Sequence, residues 1–342
     1  MKKVLLGMSG GLDSTFAVQK LREMGYSVEG AVLKMHAYTE IEEAKASADA
    51  LGVPLRVINA EVLFSRTVIR DFCEAYRCGK TPNPCVLCNE AVKLRLLYEE
   101  ALSSSFDYIA TGHYARIARI GERYAVMAGI DAGKDQSYML YRLPQDILSR
   151  LLLPLGELCK TDVKREARAE GIAAAERPES QEICFVREEG YAEYIDRVCG
   201  ALPCGDFVDE KGNVLGRHKG IHHYTVGQRK GLGVSAASRL FVQSICPETN
   251  RIVLSATPKR CNMFRITSPV FSGISEDKLG EGECFEVMVR YLAKKQKARL
   301  FHTDDGALLV KIEGGEVSTT PGQSAVFYRD DAVMLGGVIE LF

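Results

Sequence analysis

The chain has no apolar run approaching the ~18 residues that a membrane-spanning helix needs, so no membrane partner is expected. Its start, Met1-Lys2-Lys3, leads straight into an apolar strand, which argues against a secretory signal and for a cytoplasmic protein. Net charge is nearly absent, −1 over 342 residues, so any polyanion site must be a local patch. No internal repeat or low-complexity tract stands out. Two signatures are also incomplete. The glycine-rich loop at residues 9–14 lacks the Gly-Lys-Ser/Thr ending of a Walker loop. Pro84-Cys85-Val86-Leu87-Cys88 matches half of a base-deaminase signature, but no histidine is followed two places later by glutamate.

What is present is a globular composition, 46% hydrophobic and 26% charged, long enough for two or three domains. Up to about Val198, apolar strands (Val28–Leu33, Leu55–Asn59, Tyr108–Gly112) alternate with helical segments (Ile41–Leu51, Val92–Leu102). That alternation predicts an α/β domain with a parallel sheet, whose ligands bind at the carboxyl ends of the strands. Further on, glycine and proline become frequent and helical periodicity fades. The expected organisation is an α/β catalytic domain over 1–197, a small β-rich domain over 198–262 and a C-terminal β-barrel over 263–342.

The stretch Ser9-Gly10-Gly11-Leu12-Asp13-Ser14 follows the apolar Val4-Leu5-Leu6 and precedes apolar residues at helical spacing. On such a strand–loop–helix turn, backbone N–H groups can hold phosphate oxygens, glycines allow close approach and the serines add hydroxyl donors. A glycine turn capped by serine is the structural alternative. The loop resembles the pyrophosphate loop of ATP pyrophosphatases, which implies ATP as substrate and places Asp13 beside magnesium-bound pyrophosphate.

Eleven cysteines in a reducing compartment are candidates for catalysis or metal binding. In Thr81-Pro82-Asn83-Pro84-Cys85-Val86-Leu87-Cys88-Asn89 the prolines predict an extended stretch with a helix beginning only after Asn89. Cys88 would then lie near a helix N-terminus, which favours thiolate. A structural zinc site from Cys73, Cys78, Cys85 and Cys88 and a sulfur-handling pair both remain open at this point. Cys184, in Ser180-Gln181-Glu182-Ile183-Cys184-Phe185, taken alone reads as a packing thiol.

Taken together, these stretches resemble the tRNA-specific 2-thiouridylases, a family that thiolates the wobble uridine, position 34. The likeness extends to Ala110-Thr111-Gly112-His113-Tyr114-Ala115-Arg116, Lys134-Asp135-Gln136-Ser137-Tyr138, Tyr224–Gly233 and Thr320-Pro321-Gly322-Gln323. It implies an adenine-nucleotide α-hydrolase-like first domain. It also implies ATP binding by Gly7, Met8, Ser9, Gly10, Gly11, Asp13, Ser14, Leu33, Met35 and Gly112. His113, Arg116, Lys134, Asp135 and Gln136 would line the place where ATP meets the base. Cys184 would carry a persulfide with Cys88 as its partner, and Asp13 completes the catalytic set, with Mg2+ as the metal. The implied partners are tRNA (lysine, glutamate and glutamine acceptors) and a sulfur donor, either a cysteine desulfurase relay protein or sulfide.

One position departs from the family, many of whose members have Asp where this chain has Cys85. Cys85, Cys88 and Cys184 would supply three thiolates to a [4Fe–4S] cluster with one open iron. Three soft ligands without a local carboxylate favour that version, while a persulfide relay with Cys85 inert stays open. For RNA, Gly216–Gly233 carries Arg217, Lys219, Arg229 and Lys230 with His218, His222, His223 and Tyr224, and no acid. Val289–His302 carries Arg290, Lys294, Lys295, Lys297 and Arg299, again without acid. Two other functions use some of these features: an amidotransferase-type synthetase sharing the ATP loop, and a zinc-stabilised RNA-binding protein.

Overall fold

The computed structural model describes residues 1–177, 183–186, 189–236 and 238–342. The first part of the chain runs β1 (Lys3–Gly7), α1 (Leu12–Glu23), β2 (Ser27–Lys34), α2 (Ile41–Ala50), β3 (Leu55–Asn59), α3 (Glu61–Phe64), a π-turn Ser65–Ile69 and α4 (Arg70–Arg77). It continues through α5 (Pro84–Cys88), a π-turn Asn89–Lys93, α6 (Leu94–Ser103), β4 (Tyr108–Ala110), β5 (Ala115–Ile120), β6 (Arg123–Ala128), α7 (Gln145–Leu148), β7 (Leu151–Leu152), α8 (Lys160–Ala169) and α9 (Tyr191–Cys199). Strands β3-β2-β1-β4-β7 form one parallel sheet in that order. The two-residue period of a strand sends Leu5 to one face, with Phe72, Leu97 and Ile109, and Val4 and Leu6 to the other, with Phe16, Leu21 and Val163. Helices therefore cover both faces, and the strands' carboxyl ends are the free edge. The predicted strands and helices of this part fall where expected, to within about two residues, except around the cysteine segment at Pro84–Asn89.

A second sheet, β10-β11-β8-β9, comes from β8 (Gly205–Val208), β9 (Val214–His218), β10 (Phe241–Cys246) and β11 (Arg251–Ser255). Phe207, Val242, Ile252 and Leu254 fill its core. The last strands are β12 (Met263–Phe271), β13 (Glu283–Met288), β14 (Gln296–His302), β15 (Leu308–Ile312), β16 (Ser324–Arg329) and β17 (Ala332–Glu340). They pair in the order β12-β15-β14-β13-β16-β17, and β12 pairs back onto β17 to close an antiparallel six-stranded barrel. Closure removes the sheet edges that would otherwise invite association. The β5–β6 hairpin, not anticipated from the sequence, leaves the first domain and pairs Met127 with Ala332 of the barrel.

A buried polar lattice backs that junction. Ser137 Oγ lies 3.1 Å from Tyr328 Oη, Tyr138 Oη donates to the Ser324 carbonyl at 2.8 Å, and Ser324 Oγ donates to Tyr141 Oη at 3.2 Å. The Tyr141 ring lies so close to β17 that a Cβ on Gly336 would sit 2.5 Å from it. Gly336→Ala is therefore expected to cost about 1–3 kcal/mol through overpacking. A melting temperature within 1 °C of wild type (about 0.7 kcal/mol or less for a chain this long) would show that the ring yields freely.

Candidate active site

The loop after β1 owes its shape to glycine at a position where no other residue fits. Gly10 has φ +81°, and a Cβ there would lie 2.6 Å from the Glu43 carbonyl carbon. The serines tie the loop together: the Ser9 N–H donates to Ser14 Oγ (3.2 Å), and Ser14 Oγ lies 3.0 Å from the Gly11 carbonyl. The end of β4 packs against the same turn, because a Cβ on Gly112 would meet the Asp13 carbonyl carbon at 2.8 Å.

These elements enclose a cavity of about 580 Å³, within the size range of small-molecule sites. Of the residues expected to act on ATP and base, Gly7, Met8, Ser9, Asp13, Ser14, Leu33, Met35, Gly112, His113 and Gln136 line it, together with Cys184. Gly10 and Gly11 shape the loop behind the lining. Arg116, Lys134 and Asp135 are not among the lining residues. Arg116 donates to the Ala128 carbonyl (2.7 Å) and pairs with Glu157 (3.6 Å). Lys134 closes a turn through its N–H to the Asp131 carbonyl (3.0 Å). Asp135 is buried and accepts from the N–H groups of Gly129 and Ser137 and from Ser137 Oγ. Its carboxylate shapes the segment that carries Gln136, whose Oε1 accepts from the Tyr114 N–H at 2.9 Å.

Two lysines escaped the sequence reading. Lys160, buried, places its ammonium 2.5 Å from Asp13, which also accepts from Tyr114 Oη at 2.8 Å. The signal was present: Lys160 shares the buried stripe of α8 with Val163 and Ala167, an odd place for a lysine. Lys93 lines the cavity and carries its charge beside Cys85, Cys88, Cys184 and His113.

The cysteine segment differs from expectation. A helix begins at Pro84 itself, because proline is tolerated at a first helical position, where its missing N–H is not needed. Cys88 thus lies inside a nearly continuous helical run, not near an N-terminus, and burial decides its state. Its thiol is pushed up to about 12 by desolvation, with Lys93 opposing. Cys85 and Cys184 have exposed surface but stand in a recess crowded by protein, which raises both thiols, again against Lys93. Cys184 lines the cavity, and Cys85 and Cys88 are near enough to it for each charge to bear on the others. Three thiols are chemically soft donors of the kind an iron–sulfur cluster takes, but their sulfurs do not all lie within 4.8 Å of one another, so the three are not assembled as a ligand set in this structure.

The proposed zinc quartet is not formed. Among the described residues the one group of three metal-ligating side chains that converges is Asp196, His222 and His223. Cys73 instead meets Cys199, and burial and that contact push its thiol up to about 12. Ser180, Gln181 and Glu182 lie outside the described residues.

The basic patches are less uniform than the local sequence suggested. Lys219, Arg229, Lys230, Arg290 and Lys294 are exposed, with no ion pair among the described residues. Arg217 pairs with Asp206 (3.3 Å). Lys295 pairs with Asp331 (3.1 Å) and sits over the Tyr328 ring, and Arg299 pairs with Glu313 (2.6 Å). Acids from neighbouring strands supply what the linear stretch lacks. His218, His222 and Tyr224 are buried, and His222 and His223 bond Asp196, so these rings are not an RNA surface.

A glycine loop and thiols at the carboxyl edge of a parallel sheet, followed by two β domains, define a three-domain protein built on a HUP fold. Residues 2–188 match the model described as tRNA methyl transferase HUP domain, 192–256 the tRNA methyl transferase PRC-barrel domain and 262–339 the aminomethyltransferase beta-barrel domain. The chain is 39% identical over 357 residues to the tRNA-specific 2-thiouridylase MnmA of Acetivibrio thermocellus, covering 99% of both chains. It is 39% identical over 356 residues to that of Clostridium acetobutylicum (99% of both). With that of Carboxydothermus hydrogenoformans it shares 40% over 357 residues, covering 99% of this chain and 98% of the other. The chain belongs to the tRNA-specific 2-thiouridylase family. No helix among the described residues is long and apolar enough to cross a membrane.

His113 supplies a pH test. Burial, then the Lys93 charge, lowers its pKa to about 3, and its Nδ1 lies 2.7 Å from Thr111 Oγ1. The unfolded chain binds this proton below about pH 6.5, whereas the folded protein does not. The histidine's contribution is therefore intact above that pH and lost as pH falls toward 3, by at most about 1.4 kcal/mol per pH unit. His113→Gln is expected to melt with a shallower dependence between pH 7 and 5 (~1–2 units below neutrality). Parallel curves would mean that the imidazole takes up its proton in the folded protein.

Proposed function

We propose that the protein uses ATP to replace the C2 oxygen of the wobble uridine of tRNA with sulfur. The observation that carries this reading is the opening of the phosphate-loop residues and Cys184 into one cavity, with Cys85 and Cys88 beside it. A uridine oxygen is a poor leaving group. It attacks the α-phosphorus of ATP, pyrophosphate departs and the base becomes O-adenylated. Backbone N–H groups of the Ser9–Ser14 loop stabilise the phosphate charge that develops. Magnesium, held at Asp13, would add Lewis-acid stabilisation of the leaving pyrophosphate.

The terminal sulfur of a Cys184 persulfide then attacks C2 and AMP leaves. Cys88 attacks the Cys184 sulfur, freeing thiolated tRNA and leaving a Cys88–Cys184 disulfide. Sulfide attack on that disulfide at Cys184 forms the Cys184 persulfide and releases the Cys88 thiol in one step, whereas a persulfide relay protein supplies only the sulfur and needs a separate dithiol reductant to open the disulfide first. In the other version, Cys85, Cys88 and Cys184 hold a [4Fe–4S] cluster, whose open iron would present sulfide to the same carbon. The tRNAs expected are the lysine, glutamate and glutamine acceptors. An amidotransferase-type synthetase has no use for thiols beside the nucleotide cavity, and the zinc-stabilised reading loses its cysteine quartet.

Cys184→Ala is expected to keep tRNA-dependent pyrophosphate release while thiolated tRNA falls by about 100-fold or more, since only the second step needs the sulfur. Pyrophosphate release independent of tRNA would sink the reading. Arg290→Glu with Lys294→Glu, which spares the paired Lys295, is expected to weaken tRNA binding about tenfold or more. It should also flatten the log–log salt slope by about 1–2 without changing ATP affinity. Unchanged tRNA affinity at low and moderate salt would remove these residues from the interface.

A further inference from the structure

The segment leading into α5 is held by residues from outside its own domain. Two of the four residues from Thr81 to Pro84 are prolines, so the stretch has few N–H groups and no ladder of its own. Its carbonyls need an external donor. The barrel loop Thr320-Pro321-Gly322-Gln323 supplies it. Gln323 Nε2 donates to the carbonyls of Thr81 (2.9 Å) and Pro82 (3.3 Å), and the Thr81 N–H donates to the Pro321 carbonyl (2.8 Å). Gly322, at φ +89°, brings the two backbones so close that a Cβ would lie 2.9 Å from the Thr81 nitrogen. The small domain joins at the same residue, through Thr81 Oγ1 and Thr225 Oγ1 at 3.3 Å. Gln323 is in turn fixed in the barrel, its carbonyl accepting from the Ile339 N–H at 2.7 Å.

All three domains therefore meet at Thr81, four residues before Cys85 and seven before Cys88. On the far side of α5 the helix passes through the Asn89–Lys93 π-turn, where hydrogen bonding is irregular. The five residues that carry both cysteines thus lie between this change of helical pitch and the barrel clamp.

We propose that Gln323 is a positioning residue for sulfur transfer, holding Thr81 and Pro82 so that α5 presents Cys85 and Cys88 to the recess of Cys184. The role deepens the thiolation reading and rests on it. Gln323 touches neither the cavity lining nor any thiol, and acts through the backbone of the segment it grips.

The test uses the full chain with Gln323→Ala, and with Gln323→Glu, which keeps the shape but removes both donors. Amide exchange at residues 85–93 is expected to quicken about tenfold or more in both variants, while β16 and β17 stay within about twofold. ATP and tRNA affinities and tRNA-dependent pyrophosphate release are expected to stay within about twofold, whereas thiolated tRNA per pyrophosphate falls about fivefold or more. A glutamate variant that behaves as wild type overturns the proposal, as does faster exchange spread evenly over the barrel. So does product that falls only in step with pyrophosphate. Wild-type protein that makes no thiolated tRNA refutes the thiolation reading instead, and the exchange data still decide whether Gln323 holds α5.

Discussion

The site depends on one carboxylate being pinned from two sides. Asp13 stands in the first turn of α1, Tyr114 follows β4, and Lys160 opens α8; the ion pair and the hydroxyl join segments 101 and 147 residues from Asp13. The lysine is buried while the carboxylate keeps about a third of its surface, so the pair is neither a solvated surface bridge nor a fully desolvated one. Removing one partner of such a pair is more damaging than the pair is stabilising, because the remaining charge is left short of both water and protein. Its chief effect is geometric. It sets the first turn of α1, and with it the direction of the loop N–H groups, against the end of β4, where Gly112 allows backbone contact.

How far this could be read from the sequence follows from how local each cause is. The parallel sheet was legible because two-faced burial writes apolar runs into Val4–Leu6, Val28–Leu33 and Tyr108–Ala110. The strand–loop–helix turn at Ser9–Ser14 was legible because glycine and serine at fixed spacing serve a short-range geometry. The β5–β6 hairpin was not, since its pairing with β17 joins residues about two hundred positions apart. The same holds for the acids that neutralise Lys295 and Arg299, which arrive from Asp331 and Glu313 on other strands or turns. The helix start at Pro84 was misread through a local rule applied at the wrong position: proline disfavours a helix interior but suits its first residue.

The two β domains are fixed to the catalytic domain by different chemistry. The barrel uses buried hydroxyls, Ser137, Tyr138, Tyr141, Ser324 and Tyr328, packed beside apolar rings. The small domain uses hydrogen bonds: the buried His222, whose pKa desolvation lowers, and His223 on Asp196, and Arg77 donating to the carbonyls of Cys199 and Gly200 at 3.3 and 3.0 Å. Buried hydroxyl networks resist opening, because each separated group loses a partner without gaining water. Hydrogen bonds with a partly exposed member, here Asp196 or Arg77, separate at lower cost, because water can replace the lost partner on that side. The first junction is accordingly the rigid one, and the barrel loop that reaches Thr81 is tied to the same rigid framework.

The thiols present the remaining balance of forces. Burial is the largest influence on Cys85, Cys88 and Cys184, and it disfavours the anion in all three. Their proximity adds to it, since one thiolate in the recess raises the cost of the next. Lys93 is the opposing charge common to all three, and the direction of the net shift shows that it does not prevail. A recess with these properties keeps its sulfur protonated, hence slow to oxidise or to attack adventitious electrophiles. Reaction then requires either an electrophile activated enough to meet weak nucleophiles or added positive charge. In the proposed reaction, adenylation of a base in the adjoining cavity would provide the first, and a metal cluster, where the thiols held one, would provide the second. Both versions of the proposed chemistry share the activated base, and the cluster version would add positive charge on the sulfur side as well.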